Sequence, residues 1–147
     1  MASIATHFVQ VHPIRLGGGG VEHLLLRRAG AESVYPGIWQ VVTGRSNPGE
    51  TTLQTALRET VEEIGILPIE WHASPHVCSF YFQLEDAIVL TPVIVCLLPS
   101  DASVLLSEEH CEYSWATAAE AVSILPFQTH RDGVAIAEKW GISLLKI

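Results

Sequence analysis

Three carboxylates, Glu59, Glu62 and Glu63, fall at i, i+3 and i+4 in a segment of helical pattern. Residues at that spacing are neighbours on a helix, with Cβ atoms about 5–6 Å apart. Like charges that close repel one another. A hard divalent cation removes the repulsion, because carboxylate oxygens are the donors such a cation prefers. Arg58 lies one helical turn before Glu62 and is placed to orient it by ion pairing. Glu50 stands just before the helix, after a Gly- and Pro-containing stretch that begins at Gly44. Loop backbone, a helix N-terminus and clustered carboxylates therefore converge, which is what holding a cation and an anionic group requires. A solvated acidic face is the plain alternative for three Glu on an arbitrary helix; Glu50, Arg58 and the flanking loop argue against it.

Read together, the residues run Gly44, five positions, Glu50, seven positions, then Arg58-Glu59-Thr60-Val61-Glu62-Glu63-Ile64-Gly65-Ile66. This segment, 44–66, resembles the Nudix box, GX5EX7REUXEEXGU with U an aliphatic residue. Every fixed Gly, Glu and Arg is present; the one departure is Thr60 at the first aliphatic position, where its methyl can pack. The flanks are similar to the family as well. Trp39-Gln40-Val41-Val42-Thr43 looks like the strand leading into the box, and Glu109-His110-Cys111-Glu112-Tyr113-Ser114-Trp115 resembles the downstream EHxxYxW segment of many members. The pattern of the flanks is nearest to dihydroneopterin triphosphate pyrophosphatases and dATP pyrophosphohydrolases.

The resemblance implies an α/β/α sandwich around a mixed sheet and a pyrophosphohydrolase that cleaves a nucleoside diphosphate linked to another group. Its cofactor would be Mg²⁺ or Mn²⁺. Carried over residue by residue, Glu59 and Glu63 would be the main metal ligands, and Glu62 would ligate directly or through water. Glu50 and Arg58 would hold these carboxylates, and the Gly44 carbonyl would join the metal shell. Glu109 would be a ligand or general base, or would only brace a loop. The expected reaction is attack of water on one phosphorus, with Glu59, Glu63 and Glu109 as candidate bases. Arg27 and Arg28, at a strand end, are expected either to contact substrate phosphates or to be solvent-facing charges. Tyr35, Trp39, Phe80 and Phe82 are candidates to stack on a base or pterin, with core packing as the alternative. A dinucleoside polyphosphate hydrolase and a non-catalytic nucleotide-sensing regulator are the competing functions.

The elements that must position these groups are legible in outline. Strands are expected at Thr6–Ile14, Val21–Arg28 and Ile38–Thr43, rich in Val, Leu and Phe or bounded by turns. Gly17–Gly20 reads as a turn between two strands, since no Lys-Ser/Thr follows as in a phosphate loop. Tyr35-Pro36-Gly37 reads as a turn and Gly44–Gly49 as a loop. The helix is expected over Thr51–Ile64. Thr51 and Gln54 fit a capping box, Gly65 suits a left-handed C-terminal residue, and Pro68 blocks continuation. Its apolar face is expected to be Leu53, Ala56, Leu57, Val61 and Ile64, opposite the carboxylates. Strands follow at Ile69–Ala73, Val77–Leu84 and Ala87–Leu98 with a break at Pro92, joined through a tip at Glu85-Asp86. Tyr113–Trp115 reads as a short strand, and Thr117–Ile124 and Thr129–Trp140 as helices. The fold class is α/β or α+β, a mixed sheet with helices on its faces.

The chain has 147 residues, which fits one domain over 1–147. Hydrophobic residues make up 48%, which excludes a disordered chain. The net charge of -8 leaves no basic surface for a nucleic-acid or membrane partner, so the expected partner is a small nucleotide or pterin phosphate. The apolar content leaves room for a homodimer. Cys78, Cys96 and Cys111 are odd in number and lack a CxxC spacing, which fits a reducing, cytoplasmic setting. His110-Cys111 reads as an ordinary histidine beside an ordinary thiol. No basic segment followed by an apolar stretch opens the chain, and the longest apolar run, Ala87–Leu98, falls short of the ~20 residues that span a bilayer.

Overall fold

The structure, a computed structural model, describes residues 1–145; 146 and 147, the last two of the span read as one domain, lie outside the described residues. Strands β1 (Ser3–Ala5), β2 (Phe8–Gly17), β3 (Gly20–Arg28), β4 (Trp39–Gln40) and β5 (Val42–Arg45) precede helix α1 (Thr52–Ile64). Strands β6 (Glu70–Phe82), β7 (Ala87–Leu97) and β8 (His110–Ala116) follow, and α2 (Ala118–Ile124) and α3 (Gln128–Leu145) close the chain. The eight strands of the described residues belong to one mixed sheet. β7 runs parallel to β1 and β2 and antiparallel to β6, while β3 is antiparallel to both β2 and β8.

Alternation along the strands assigns each face its helix. Val9 and Val11 of β2, Leu24 and Leu26 of β3, and Ile94 and Cys96 of β7 form one buried cluster with Ala56 and Ile64 of α1. The intervening Leu25 packs with Ala121, Leu125 and Val134, and Ile14, Val21 and Val95 pack with Ala137. The sheet is thus covered on one side by α1 and on the other by α2 and α3. A sheet buried on both faces needs unbroken apolar strands rather than alternating ones. Runs such as Leu24-Leu25-Leu26 and Val93–Leu98 meet that need.

Three local features set up the site. β2 and β3 pair only near their shared turn, Ile14–Gly17 with Gly20–His23, and then splay apart. The segment from Trp39 to Arg45 fills the resulting V. Its second half, Val42–Arg45, pairs with Phe8–Val11 of β2, and its first half pairs with Leu26 and Arg27 of β3. The strand expected over Ile38–Thr43 is therefore two short pieces that break at Val41, and Gly44 belongs to β5 rather than to the loop expected from 44 to 49. Second, β6 continues through 74–76, where its register against β7 shifts opposite Pro92. Proline offers no N–H to the ladder, so the partner strand bulges instead of breaking, and the Ser74 hydroxyl donates to the Val93 carbonyl at 2.8 Å. Third, α1 carries its expected caps. Thr51 and Gln54 exchange capping-box hydrogen bonds, and Gly65 adopts φ 68°.

The burial of α1 meets expectation at Ala56 and Ile64 and differs elsewhere. Leu53, Leu57 and Val61 are exposed at 45%, 39% and 43%, and the buried residues are Thr55, Ala56, Thr60, Glu63 and Ile64. The helix is rotated so that its short side chains lie against the sheet. Thr60, the one departure from the box pattern, is fully buried, and its hydroxyl is satisfied by the Ala56 carbonyl at 2.7 Å. Among the described residues no helix is long and apolar enough to cross a membrane.

Candidate active site

The rotation of α1 turns Glu59 and Glu63 toward β5 and the sheet while Glu62 stays exposed. Glu59 reaches its place only because position 44 has no side chain. A Cβ on Gly44 would stand 2.1 Å from Glu59 Cγ and 2.4 Å from Cδ. The glycine is required here for space, so that backbone and carboxylate meet.

Arg58 is the hub of the acidic group. Its Nε and Nη2 donate to the two oxygens of Glu50 at 2.8 and 2.9 Å, a two-point pairing. Its Nη1 donates to Glu59 at 2.8 Å and to Glu62 at 3.3 Å, and Nη2 also reaches the Arg45 carbonyl at 2.9 Å. One guanidinium thus ties the helix to the strand end and fixes three carboxylates. Glu50 receives further hydrogen bonds from the Asn47 backbone and the Thr55 hydroxyl. The Arg58 guanidinium, aided by these donors, holds the Glu50 carboxyl down at about 2.

Glu63 is in the opposite situation. It is 2% exposed, and neither carboxylate oxygen has a hydrogen-bond partner. Burial, reinforced by the nearby charges of Glu59 and Glu109, pushes its pKa well above the ordinary carboxylate range. Burial likewise raises Glu59 against the pull of Arg58. A buried carboxylate without a partner is costly unless something positive meets it.

The segment after β7 brings Glu109 and His110 to this point. The Leu105 and Ser107 amides donate to the carbonyls of Ile64 and Glu63, satisfying acceptors left open at the end of α1. The chain then enters β8 beside Arg28, and the Ala29 amide binds the Glu109 carbonyl at 2.8 Å. Glu63, Glu109 and His110 each offer an atom within 4.8 Å of the others. The orphaned oxygens of Glu63, with Glu59 and Glu109 alongside, fit a hard divalent cation. The His110 side chain is fully buried, and its Nδ1 lies 3.7 Å from Glu63 Oε1. Burial, with the charge of Arg28, pushes its pKa down to about 4. Its place within the EHxxYxW segment was the available signal.

A cleft of about 600 Å³ opens beside these groups. Glu59, Glu109, Gly44 and Arg28 line one end. Two aromatic walls flank the rest. Tyr35, at φ 47°, meets Phe127 edge-on at 5.1 Å. Phe82 sits edge-on to Phe8 at 5.9 Å and to Phe80 at 6.3 Å. The guanidinium of Arg45 stands 4.7 Å over the Phe8 ring. Phe8 and Phe127 carry no sequence mark that separates them from core residues.

Two of the candidates lie elsewhere. Arg27 and Arg28 are adjacent on a strand and point to opposite faces. Arg28 lines the cleft and donates to the Val34 carbonyl at 2.8 Å, whereas Arg27 donates to the Gly37 carbonyl at 3.0 Å outside it. Trp39 packs with Val41, Ala116 and Leu125 on the α2–α3 side, and its neighbour Gln40 faces the cleft instead. Arg131 serves the fold, donating to the Leu125 carbonyl just past α2 at 2.7 Å.

Known proteins resemble this chain in sequence and in fold. The octanoyltransferase of Myxococcus xanthus is 32% identical over 127 residues, 86% of this chain but 35% of its own length, so the chain spans about a third of that relative. The asymmetrical bis(5'-nucleosyl)-tetraphosphatase of Caenorhabditis elegans is 30% identical over 111 residues, 74% of this chain and 77% of that one. The E. coli dihydroneopterin triphosphate pyrophosphohydrolase superposes with a TM-score of 0.76 over 97% of this chain and 99% of that one, at 21% identity, a likeness of fold. The model of the NUDIX domain matches residues 9–137, a span that holds the whole loop–helix segment and the Glu109–Trp115 stretch, and the chain therefore belongs to the NUDIX domain family.

Proposed function

We propose that the protein is a pyrophosphohydrolase that depends on Mg²⁺ or Mn²⁺ and cleaves a diphosphate linkage in a nucleoside triphosphate or a related nucleoside diphosphate derivative. The observation that carries this reading is Glu63, a buried carboxylate with both oxygens unpartnered, next to Glu59 and Glu109, which line a cleft with aromatic walls. Glu59, Glu63 and Glu109 would hold the cation, joined by the Gly44 carbonyl and by the exposed Glu62 acting directly or through water. When bound, the cation supplies charge neutralisation for diphosphate oxygens and makes a neighbouring water more acidic.

The remaining work falls to this chain's own residues. Arg58, fixed by Glu50, keeps Glu59 from drifting and holds it in a constant direction. Glu59, Glu63 and Glu109 are the candidates to take the proton of the attacking water; burial and neighbouring negative charge raise the proton affinity of Glu59 and Glu63 toward that task. Arg28 brings positive charge to the phosphate end of the cleft. The walls of Tyr35 with Phe127 and of Phe8, Phe80 and Phe82 offer flat apolar surfaces for a base or pterin. A dinucleoside polyphosphate is the second substrate class: two separate walls suit two bases, and the C. elegans relative is named for such a reaction. The three free thiols suit a reducing compartment such as the cytoplasm.

The test is a Mg²⁺ activity screen over triphosphates, dinucleoside polyphosphates and nucleotide sugars, with products identified by mass. Turnover of one class, and its loss by at least about 10²-fold in Glu63→Gln, is the expected result. Unchanged turnover in that variant would refute the site, and saturable nucleotide binding without turnover would make the protein a sensor.

A further inference from the structure

The buried pair Gln40–His110 stands behind Glu63 and takes no part in the reading above. Gln40 Nε2 lies 2.8 Å from His110 Nε2, both groups buried. An amide nitrogen only donates, so His110 Nε2 accepts and the single ring proton sits on Nδ1. Nδ1 has no other partner, and it faces Glu63 Oε1 at 3.7 Å, somewhat beyond a hydrogen bond of about 3.0 Å. A buried orphan donor therefore faces a buried orphan acceptor across the last gap of a three-residue line. Gln40 is placed for this by strand alternation, which sends Trp39 and Val41 to the opposite face. With that proton placement His110 offers a metal no free lone pair: Nδ1 carries hydrogen, and the Nε2 lone pair is occupied by Gln40.

We propose that Gln40 and His110 are positioning residues that set the direction of the Glu63 carboxylate, Gln40 selecting the ring tautomer and His110 Nδ1–H holding one carboxylate oxygen so that the other is presented to the cation. This rests on the proposed metal-dependent function of the site. It makes the effect of substitution at His110 depend on which ring nitrogen the new side chain imitates. Asparagine places its amide N–H near the position of Nδ1; glutamine reaches the position of Nε2; phenylalanine keeps the volume and supplies neither.

The experiment measures Mn²⁺ binding by the loss of the free-ion electron paramagnetic resonance signal, together with kcat and KM. The proteins are wild type, His110→Asn, His110→Gln, His110→Phe, Gln40→Leu and Glu63→Gln, with thermal melting as the check on folding. Outer partners of metal-binding carboxylates typically contribute 10–100-fold in affinity or activity. The expected result is a Mn²⁺ dissociation constant raised about 10–100-fold in His110→Phe and His110→Gln, with kcat falling in parallel and KM for the nucleotide moving less than about threefold. Gln40→Leu should show a smaller loss of the same kind, and His110→Asn should recover most of the loss. Equal behaviour of His110→Asn and His110→Gln would overturn the proposal. So would a histidine nitrogen coupling to bound Mn²⁺ in the wild-type spectrum, or unaltered Mn²⁺ affinity in a folded Gln40→Leu protein. Glu63→Gln separates the two levels of inference: Mn²⁺ binding that survives this substitution would overturn the metal site itself, whereas its loss leaves the His110 series to decide the positioning role.

Discussion

Replacing Gly44 with alanine tests the close approach on which the acidic group is built. The new methyl would lie 2.1 Å from Glu59 Cγ and 2.9 Å from Oε1, against 3.4–4 Å for ordinary contact. Either the strand end or Glu59 must therefore shift by at least about 1.3 Å. Overpacking of this size costs about 1–3 kcal/mol. For a chain near 150 residues that is a fall in Tm of roughly 3–9 °C, which leaves the protein folded. The functional cost is larger than the stability cost. Glu59 is held by the 2.8 Å bond from Arg58, and displacing it by an ångström pulls it from that bond and from the proposed cation site. Misplacement by about 1 Å can cost about 10²-fold in rate. The assay is kcat for pyrophosphate release with saturating Mg²⁺, paired with Mn²⁺ affinity and a thermal melt. Gly18→Ala is the control, since nothing lies within 4 Å of that Cβ and it should change none of the three. A Gly44→Ala protein with kcat and Mn²⁺ affinity within threefold of wild type would refute the claim that this glycine exists to admit Glu59.

Arg58→Ala frees Glu50, Glu59 and Glu62 together; the Glu50 carboxyl should return from about 2 toward its usual range, seen by nuclear magnetic resonance titration, with activity down at least about 10²-fold. Gly133→Ala, whose Cβ would stand 2.0 Å from His12 Nε2, should destabilise by about 1–3 kcal/mol in urea melts while leaving Mn²⁺ affinity near wild type. Burial holds His130 at about 4, whereas the unfolded residue titrates near 6.5. The unfolded chain therefore binds more protons between those values, and stability should fall as pH drops through that window, by about 3 kcal/mol from this group. Urea melts at pH 7 and pH 4.5 with chelator present check this, and a His130→Gln protein with an undiminished pH dependence would contradict it. Chelation at neutral pH should also lower Tm, because Glu63 is then left buried without a counter-charge, and the same treatment should leave the Tm of Glu63→Gln nearly unmoved.

The limits of α1 and the order of groups along it depend on interactions within one or two turns. Thr51 and Gln54 cap each other, Gly65 takes the left-handed conformation, and Arg58 reaches Glu62 across a single turn. Such contacts follow from residue type and spacing, so they could be read without coordinates, as could the apolar runs that make a doubly covered sheet. Which side of α1 meets the sheet could not. Of the expected apolar face, Ala56 and Ile64 are buried, but in place of Leu53, Leu57 and Val61 the helix buries Thr55, Thr60 and Glu63. The reason lies in residues distant in the chain: β5 admits Glu59 at Gly44, and the Leu105–His110 segment closes over the end of the helix and carries His110 to Glu63. The division of Arg27 from Arg28 and of Trp39 from Gln40 has a similar origin, since alternation says that neighbours part but only the packed sheet says which face is the cleft. The sequence by itself determined the family pattern, the caps and the cluster of carboxylates proposed to hold a cation, because these are short-range and chemical. The tertiary structure decided which carboxylate is buried, which aromatic rings wall the cleft and what stands behind Glu63, because burial is a property of surfaces brought together from remote parts of the chain.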